Sequence, residues 1–287
     1  MLFMVYICQS AKKDFMRISA VIENTSSCGM PVEHGLSLYV QLSSCLNVLF
    51  DMGQGTLFAE NAKAMGLSVA DVDLAVVSHG HYDHGGGLRT FLSSNQKANV
   101  YIHKYAFLPH FSLKDFGLKY IGLDPELQTS SRITLCDSVT PIADDMMLFA
   151  DVNGDFCLPV GNRLLFGPDK SVNDDFCHEQ NLVVFEGEKV VLFAGCAHSG
   201  IINIMRKAES LIGRQITHAF SGMHLVKSGL TNEQEDCFIQ KLAAELSSFG
   251  NCTFFTMHCT GVLQYEKLHN VLGDKIHYLS CGENVVI

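Results

Sequence analysis

The sequence predicts a layered α/β fold: two mixed sheets packed face to face with helices outside, an αββα four-layer sandwich. Three observations lead there. Apolar runs of strand length alternate with longer helix-like runs, and each half of the chain reads strands, then helix, strand, helix. Paired strands stand at two places, near 36–50 and 182–194. No linker rich in Pro, Gly or Ser and no short-period repeat divides the chain, so 16–287 is expected to be a single domain. Residues 1–15 read as an N-terminal extension or an alternative start, because Met16 opens the first strand-like run.

In order, 17–23, 36–41 and 46–50 read as strands, the last two joined around Ser43-Ser44. A helix over 56–65 ends at Gly66, a natural C-terminal cap. A short apolar strand, 74–78, runs straight into His79, and glycines 85–87 lead to a helix through Leu88, Phe91 and Leu92, then a strand at 99–102. Residues 104–131 read as a loop-rich excursion with short helical pieces. Strands near 132–136 and 146–150 precede a polar loop at 167–175. A strand pair at 182–185 and 190–194 turns at Gly187-Glu188. A helix (201–212), a strand (217–221), a longer helix (233–249), a strand (252–257), a helix near 262–271 and a last strand at 275–280 complete the order.

Of 287 residues, 47% are hydrophobic and 17% charged, which is ample for a large core and excludes general disorder. The net charge of −10 and the lack of any Lys/Arg block argue against a nucleic-acid partner. A chain this acidic that handles an anionic substrate needs local positive charge, which bound divalent ions supply. The eleven cysteines are scattered, odd in number and form no C-x-x-C pair, so a disulfide framework is not expected and a reducing compartment is. No stretch reaches membrane-spanning length without a charge, and the apolar start, residues 1–8, is too short to span. The expectation is a cytoplasmic protein with no membrane partner; a homo-oligomer is compatible with it.

The chemistry concentrates in His79-Gly80-His81-Tyr82-Asp83-His84. On an extended segment residues two apart point the same way, so His79 and His81 can grip one ion. Asp83 and His84 follow at a turn, where the glycines allow a tight bend and a helix N-terminus favours negative charge. Three imidazoles and a carboxylate suit zinc, and also iron or manganese. Further ligands must come from later strand ends, where His178, Cys196 and His258 stand; His198, two residues past Cys196, could replace either Cys196 or His178.

His-X-His-X-Asp-His after a short apolar strand resembles the central motif of the metallo-β-lactamase superfamily, and Asp51-Met52-Gly53 looks like that family's Asp-X-Gly turn. The resemblance spans 17–287 and implies the same sandwich, with the site along one edge. It implies that Asp51 braces the metal loop without touching metal. It also implies that one metal takes His79, His81 and His178 and a second takes Asp83, His84 and His258, with Cys196 where most members place a bridging aspartate. A thiolate there favours softer ions, so two zinc ions are expected. The runs around His34, Asp51, Cys196, His224 and His258 resemble the branch named after an archaeal dihydropterin–ribofuranosylaminobenzene phosphate synthase.

His34 and His224 lie on loops where substrate contacts gather, and Lys170, in a loop otherwise read as solvated charge, is a candidate phosphate contact. Two divalent ions roughly 3.5–4 Å apart can activate a water and clamp both attacking and leaving oxygens. The function expected is therefore a metal-dependent hydrolase of a small anionic, phosphoester-type substrate. Asp83 would orient the hydroxide, and His224 or His198 would protonate the leaving group. The branch resemblance implies an alternative, a transferase joining a dihydropterin diphosphate to an aryl amine. A third reading is an iron-binding sensor, although no Cys cluster for an iron–sulfur centre is present.

Overall fold

The computed structural model describes residues 15–226 and 229–287; the expected N-terminal extension, but for its last residue, lies outside them. Strands Arg17–Ile22 (β1), Ser37–Gln41 (β2) and Asn47–Phe50 (β3) form an antiparallel meander, followed by helix Leu57–Ala64 (α1) and strand Leu74–Val77 (β4). Short helices Tyr82–Gly85 (α2) and Leu88–Ser94 (α3) lead to Asn99–His103 (β5), a hairpin of Phe111–Lys114 (β6) and Gly117–Tyr120 (β7), and Ile133–Cys136 (β8). The second half carries Val139–Ala143 (β9), Met146–Phe149 (β10), Leu165–Phe166 (β11), Asn181–Glu186 (β12) and Lys189–Ala194 (β13). Helix Ile201–Ile212 (α4), strand His218–Ser221 (β14), helix Asn232–Ser247 (α5), strand Thr253–Thr256 (β15), helix Val262–Leu272 (α6), and strands Ile276–Tyr278 (β16) and Asn284–Val286 (β17) close the order.

Two seven-stranded sheets result, ordered β17-β1-β2-β3-β4-β5-β8 and β16-β15-β14-β13-β12-β10-β9. Each is antiparallel on one side and parallel on the other, because hairpin-connected strands pair directly whereas helical crossovers return the chain in the same direction. Alternation along the strands gives each sheet two apolar faces. The inner faces meet in one core, where Phe50, Phe193, Phe220 and Phe255 stack in succession with centroids 5.8, 5.2 and 4.6 Å apart. One outer face is covered by α4, α5 and α6, the other by α1 and α3. This is the four-layer αββα arrangement, and among the described residues no helix is long and apolar enough to cross a membrane.

Four differences from the sequence reading matter. Residues 104–131 hold the β6–β7 hairpin, which with β11 forms a small third sheet. Strand β9 was not expected because it contains Pro141, which its edge position tolerates. The three-residue β17, also not expected, pairs antiparallel with the edge of β1, where Arg17 Nη1 donates to Asn284 Oδ1 at 3.0 Å. The glycines after His84 do not serve a tight bend: Gly86 (φ −63°) and Gly87 (φ −74°) are helical. They are small because the backbone carbonyls of Gln54 and Met52 occupy the space a Cβ would need, which seats α2 and α3 against the loop after β3.

Phe193 is fully buried between the sheets. Phe193→Ala is expected to lower unfolding free energy by about 3–5 kcal/mol, read as a lower urea midpoint at unchanged slope.

Candidate metal centre

The topology brings the polar residues to one end of the sandwich. Ser78 and His79 leave the carboxyl end of β4; Cys196 and His198 follow β13, His224 follows β14 and His258 follows β15. All are carboxyl ends of parallel strands, where loops diverge and leave a crevice. Asp51 directly follows β3 with φ 61°, and Ala197, His224 and His258 also hold left-handed backbone (φ 53°, 47° and 52°). Four such non-glycine residues at one edge are conformational cost concentrated where side chains are aimed rather than packed.

What aims them is a set of fixed imidazole tautomers. His84 Nδ1 lies 2.7 Å from Asp51 Oδ2, so it carries the proton and leaves a lone pair on Nε2. Asp51 also accepts from the Ser78 amide (2.7 Å) and hydroxyl (2.8 Å), and that hydroxyl, its proton committed, accepts from His79 Nδ1 at 2.9 Å. His258 Nδ1 donates to Asn24 Oδ1 (2.9 Å), whose Nδ2 donates back to the His258 carbonyl (3.2 Å). Asn162 clamps His198 in the same way, at 2.9 and 2.8 Å. Glu179 receives the amides of His198 and Ser199, and Glu23 receives that of His258.

The consequence is a crowd of bare lone pairs. His84 Nε2 and His258 Nε2 face each other at 3.2 Å, each with its proton on the other nitrogen. Cys196 Sγ is 3.1 Å from His84 Nε2, and Asp83 Oδ2 is 3.5 Å from His258 Nε2. His79 Nε2 lies 3.0 Å from His81 Nδ1, and the Nε2 atoms of His198 and His81 are buried without a hydrogen-bond partner. Ligand atoms of His79, His81 and His198 lie within 4.8 Å of one another, as do those of His79, His84 and Cys196. Two lone pairs at 3.2 Å repel unless a cation sits between them, so the donor set fits divalent ions.

His178, a ligand by the resemblance, stands with His81, His110 and Asp174, the ligand atoms of the four lying within 4.8 Å of one another. Its Nδ1 accepts the Gly80 amide at 2.9 Å, so its proton sits on Nε2, 3.3 Å from Asp174 Oδ2. Gly80 must be glycine there, since a Cβ would run into the Ala106 carbonyl and the His110 ring. His198 takes the place beside His79 and His81. Asp174, expected among solvated loop charges, is buried and also accepts from His110 Nδ1 at 2.8 Å. His110 was not singled out in the sequence, because a lone histidine in a loop gives no spacing to read. The Lys170 ammonium lies 4.5 Å over the Phe111 ring, on the hairpin face opposite that of Ser112, Lys114 and Lys119.

Burial and neighbouring imidazoles hold His79, His81 and His198 well below the usual histidine range, so all three are neutral ligands at neutral pH. Burial would push His84 down too, but the Asp51 carboxylate outweighs it and the net shift is upward. Burial would raise Asp83, yet the neighbouring His258, His34 and His84 rings hold it well below the carboxylate range. His34 reaches Asp83 Oδ2 at 3.2 Å from the rim. A cavity of about 360 Å³ opens onto the group, lined by His34, Asp83, Cys196, His198, His224 and His258 among others. Cys259 also lines it, and its Sγ accepts the His224 amide at 3.2 Å.

Known proteins agree with this geometry. A family model described as the metallo-beta-lactamase superfamily matches residues 32–219. The chain belongs to the metallo-β-lactamase superfamily. A solved structure described as a metal-dependent hydrolase of the beta-lactamase superfamily superposes with a TM-score of 0.78 at 29% identity, covering 95% of this chain and 99% of that one. An uncharacterised protein of Methanocaldococcus jannaschii is 26% identical over 256 residues, covering 88% of this chain and 93% of its own length. The 7,8-dihydropterin-6-methyl-4-(beta-D-ribofuranosyl)-aminobenzene-5'-phosphate synthase of the same organism is 24% identical over 271 residues, covering 87% of this chain and 89% of the synthase.

Two predictions follow from the tautomer network. Asn162→Ala frees the His198 ring and is expected to weaken metal binding by about 10–100-fold, measured by competition with a chromophoric chelator. In metal-free protein, the depressed imidazoles take up protons on unfolding once pH falls below about 6.5. The unfolded state then binds more protons, so stability should fall as pH drops from 6.5 toward 5. His84 acts in a different window: its stabilisation is present below about 6.5 and lost as pH rises through its folded value, so a smaller decline is expected on the alkaline side. Urea titrations at pH 8, 6.5 and 5 read this directly.

Proposed function

We propose that this protein is a metal-dependent hydrolase acting on a small anionic, phosphoester-type substrate. The observation that carries the reading is the facing pair of bare imidazole lone pairs, His84 and His258, the second of them lining an open cavity. The solved metal-dependent hydrolase that resembles nearly the whole chain supports it. One ion would be held by His79, His81 and His198, and the other by Asp83, His84 and His258, with Cys196 beside the second. A thiol among imidazoles favours zinc over harder ions.

When bound, such an ion pair supplies a water acidified toward neutral pH and draws charge from the substrate's oxygens. The chain's own residues do the rest. Asp83 keeps its charge beside the His34 and His258 rings, 3.2 and 3.5 Å away, and can accept and orient a proton of the attacking water. His224 lies at the cavity wall with its ring 4.4 Å from that of His198, placed to give a proton to the leaving-group oxygen. His34 contacts the substrate at the rim.

The similarity to the pterin synthase motivates a second reading, a transferase joining a dihydropterin diphosphate to an aryl amine on the same residues. One assay separates them. The zinc- or manganese-loaded hydrolase is expected to cleave bis(4-nitrophenyl) phosphate, to stop with chelator, and to lose about 10²-fold or more in kcat with His81→Ala. A transferase would leave that ester intact and release diphosphate only when both substrates are present.

A further inference from the structure

Two sulfurs meet across a strand that separates them. Cys196 follows β13 and Cys259 lies in the turn after β15, with β14 running between. Their Sγ atoms and a ring nitrogen of His258 nevertheless lie within 4.8 Å of one another. Gly222, directly after β14, is what allows this. A Cβ there would stand 2.5 Å from Cys259 Sγ, 3.0 Å from the Gly195 carbonyl and 3.6 Å from Cys196 Cα, in the gap between the two cysteines. The Gly222 amide donates to the Gly195 carbonyl at 2.8 Å, which ties the middle loop to the one carrying Cys196. A side chain at that position would collide with the Cys259 sulfur.

Packing does not account for the pair. Among the described residues Cys136, Cys157 and Cys252 sit within apolar clusters, whereas Cys196 and Cys259 belong to none of them. Both line the cavity instead, which at about 360 Å³ has room for a solute the size of water or peroxide. Each sulfur faces polar groups. Cys196 Sγ is 3.1 Å from His84 Nε2, and Cys259 Sγ is 3.2 Å from the His224 amide and 3.8 Å from the Cys196 carbonyl. Rotation about the Cα–Cβ bond of both cysteines can close the remaining gap to the ~2.05 Å of a disulfide.

We infer that Cys196 and Cys259 form a peroxide-reactive dithiol, whose oxidation to a disulfide withdraws Cys196 from the metal centre. Cys259 reacts first, because Cys196 stands beside the second ion and Cys259 is not among that ion's ligands. Cys259 Sγ attacks one peroxide oxygen, the O–O bond breaks, and the departing hydroxide leaves as water with the thiol proton, giving a Cys259 sulfenic acid. Cys196 Sγ then attacks that sulfur. The S–O bond breaks and the hydroxyl leaves as water, with the Cys196 proton or, from a zinc-bound thiolate, one from solvent. The two sulfurs lose two electrons and the peroxide becomes two waters; a dithiol reductant reverses the change. The release of metal rests on the ion placement proposed above, and the disulfide itself does not.

The test treats zinc-loaded protein with a small molar excess of hydrogen peroxide, maps its peptides by mass spectrometry without reduction, and reads released zinc with a chromophoric chelator. The expected product is a Cys196–Cys259 cross-link, lighter than the two free peptides by two hydrogens and reversed by dithiothreitol, with zinc released in step. In C259S zinc release should slow by about tenfold or more, and in C196S dimedone should trap a sulfenic acid at Cys259. Both cysteines staying open to alkylation in the oxidised native chain, either one bonding a different cysteine, or zinc leaving C259S as fast as the native chain would overturn the pair. An unlabelled Cys259 in C196S would overturn the order of attack. Cross-linking in a chain that cleaves no phosphoester would sink the hydrolase reading and leave the dithiol standing.

Discussion

The centre depends on where a few imidazole protons sit. Each Nδ1–H committed to Asp51, Ser78, Asn24 or Asn162 strips the proton from the Nε2 on the other side of the ring. Four Nε2 lone pairs are thereby forced toward one small volume, with His84 and His258 only 3.2 Å apart. A metal-free fold bears that repulsion together with the left-handed backbone at Asp51, His224 and His258. An ion between the rings relieves the first and uses the second.

The architecture makes such a network feasible. Parallel strands from both sheets end at the same edge, so loops far apart in sequence converge there. Asn24 and His258 are more than two hundred residues apart, yet they clamp each other because β1 and β15 lie in facing sheets that end together. The aromatic stack from Phe50 to Phe255 fixes the sheet separation on which those bonds depend.

Much of this was legible in the sequence, and the boundary is physical. The order of strands and helices follows periodicity, so the layers could be read, and His79, His81, Asp83 and His84 announce themselves by spacing within one turn of chain. Asp51 is readable because it sits in a local turn. The choice between His178 and His198 is not local: it turns on the Gly80 amide, which engages the His178 Nδ1 lone pair, and on Asn162, which holds the His198 ring, and neither contact can be read from spacing. Asp174 and Lys170 could not be told apart for a related reason. Loop composition gives charge but not burial, and four residues apart one side chain is buried beneath two imidazoles while the other lies on an outward ring. The hairpin escaped because its apolar face is turned to solvent, the reverse of what alternation is usually read to mean.

The claim that tautomers select the ligands can be tested by anomalous diffraction from zinc-loaded crystals. A zinc peak about 2.0–2.1 Å from Nε2 of both His79 and His198, with none bonded to His178, is the predicted result. A zinc bonded to His178 while His198 Nε2 stays unliganded would contradict it.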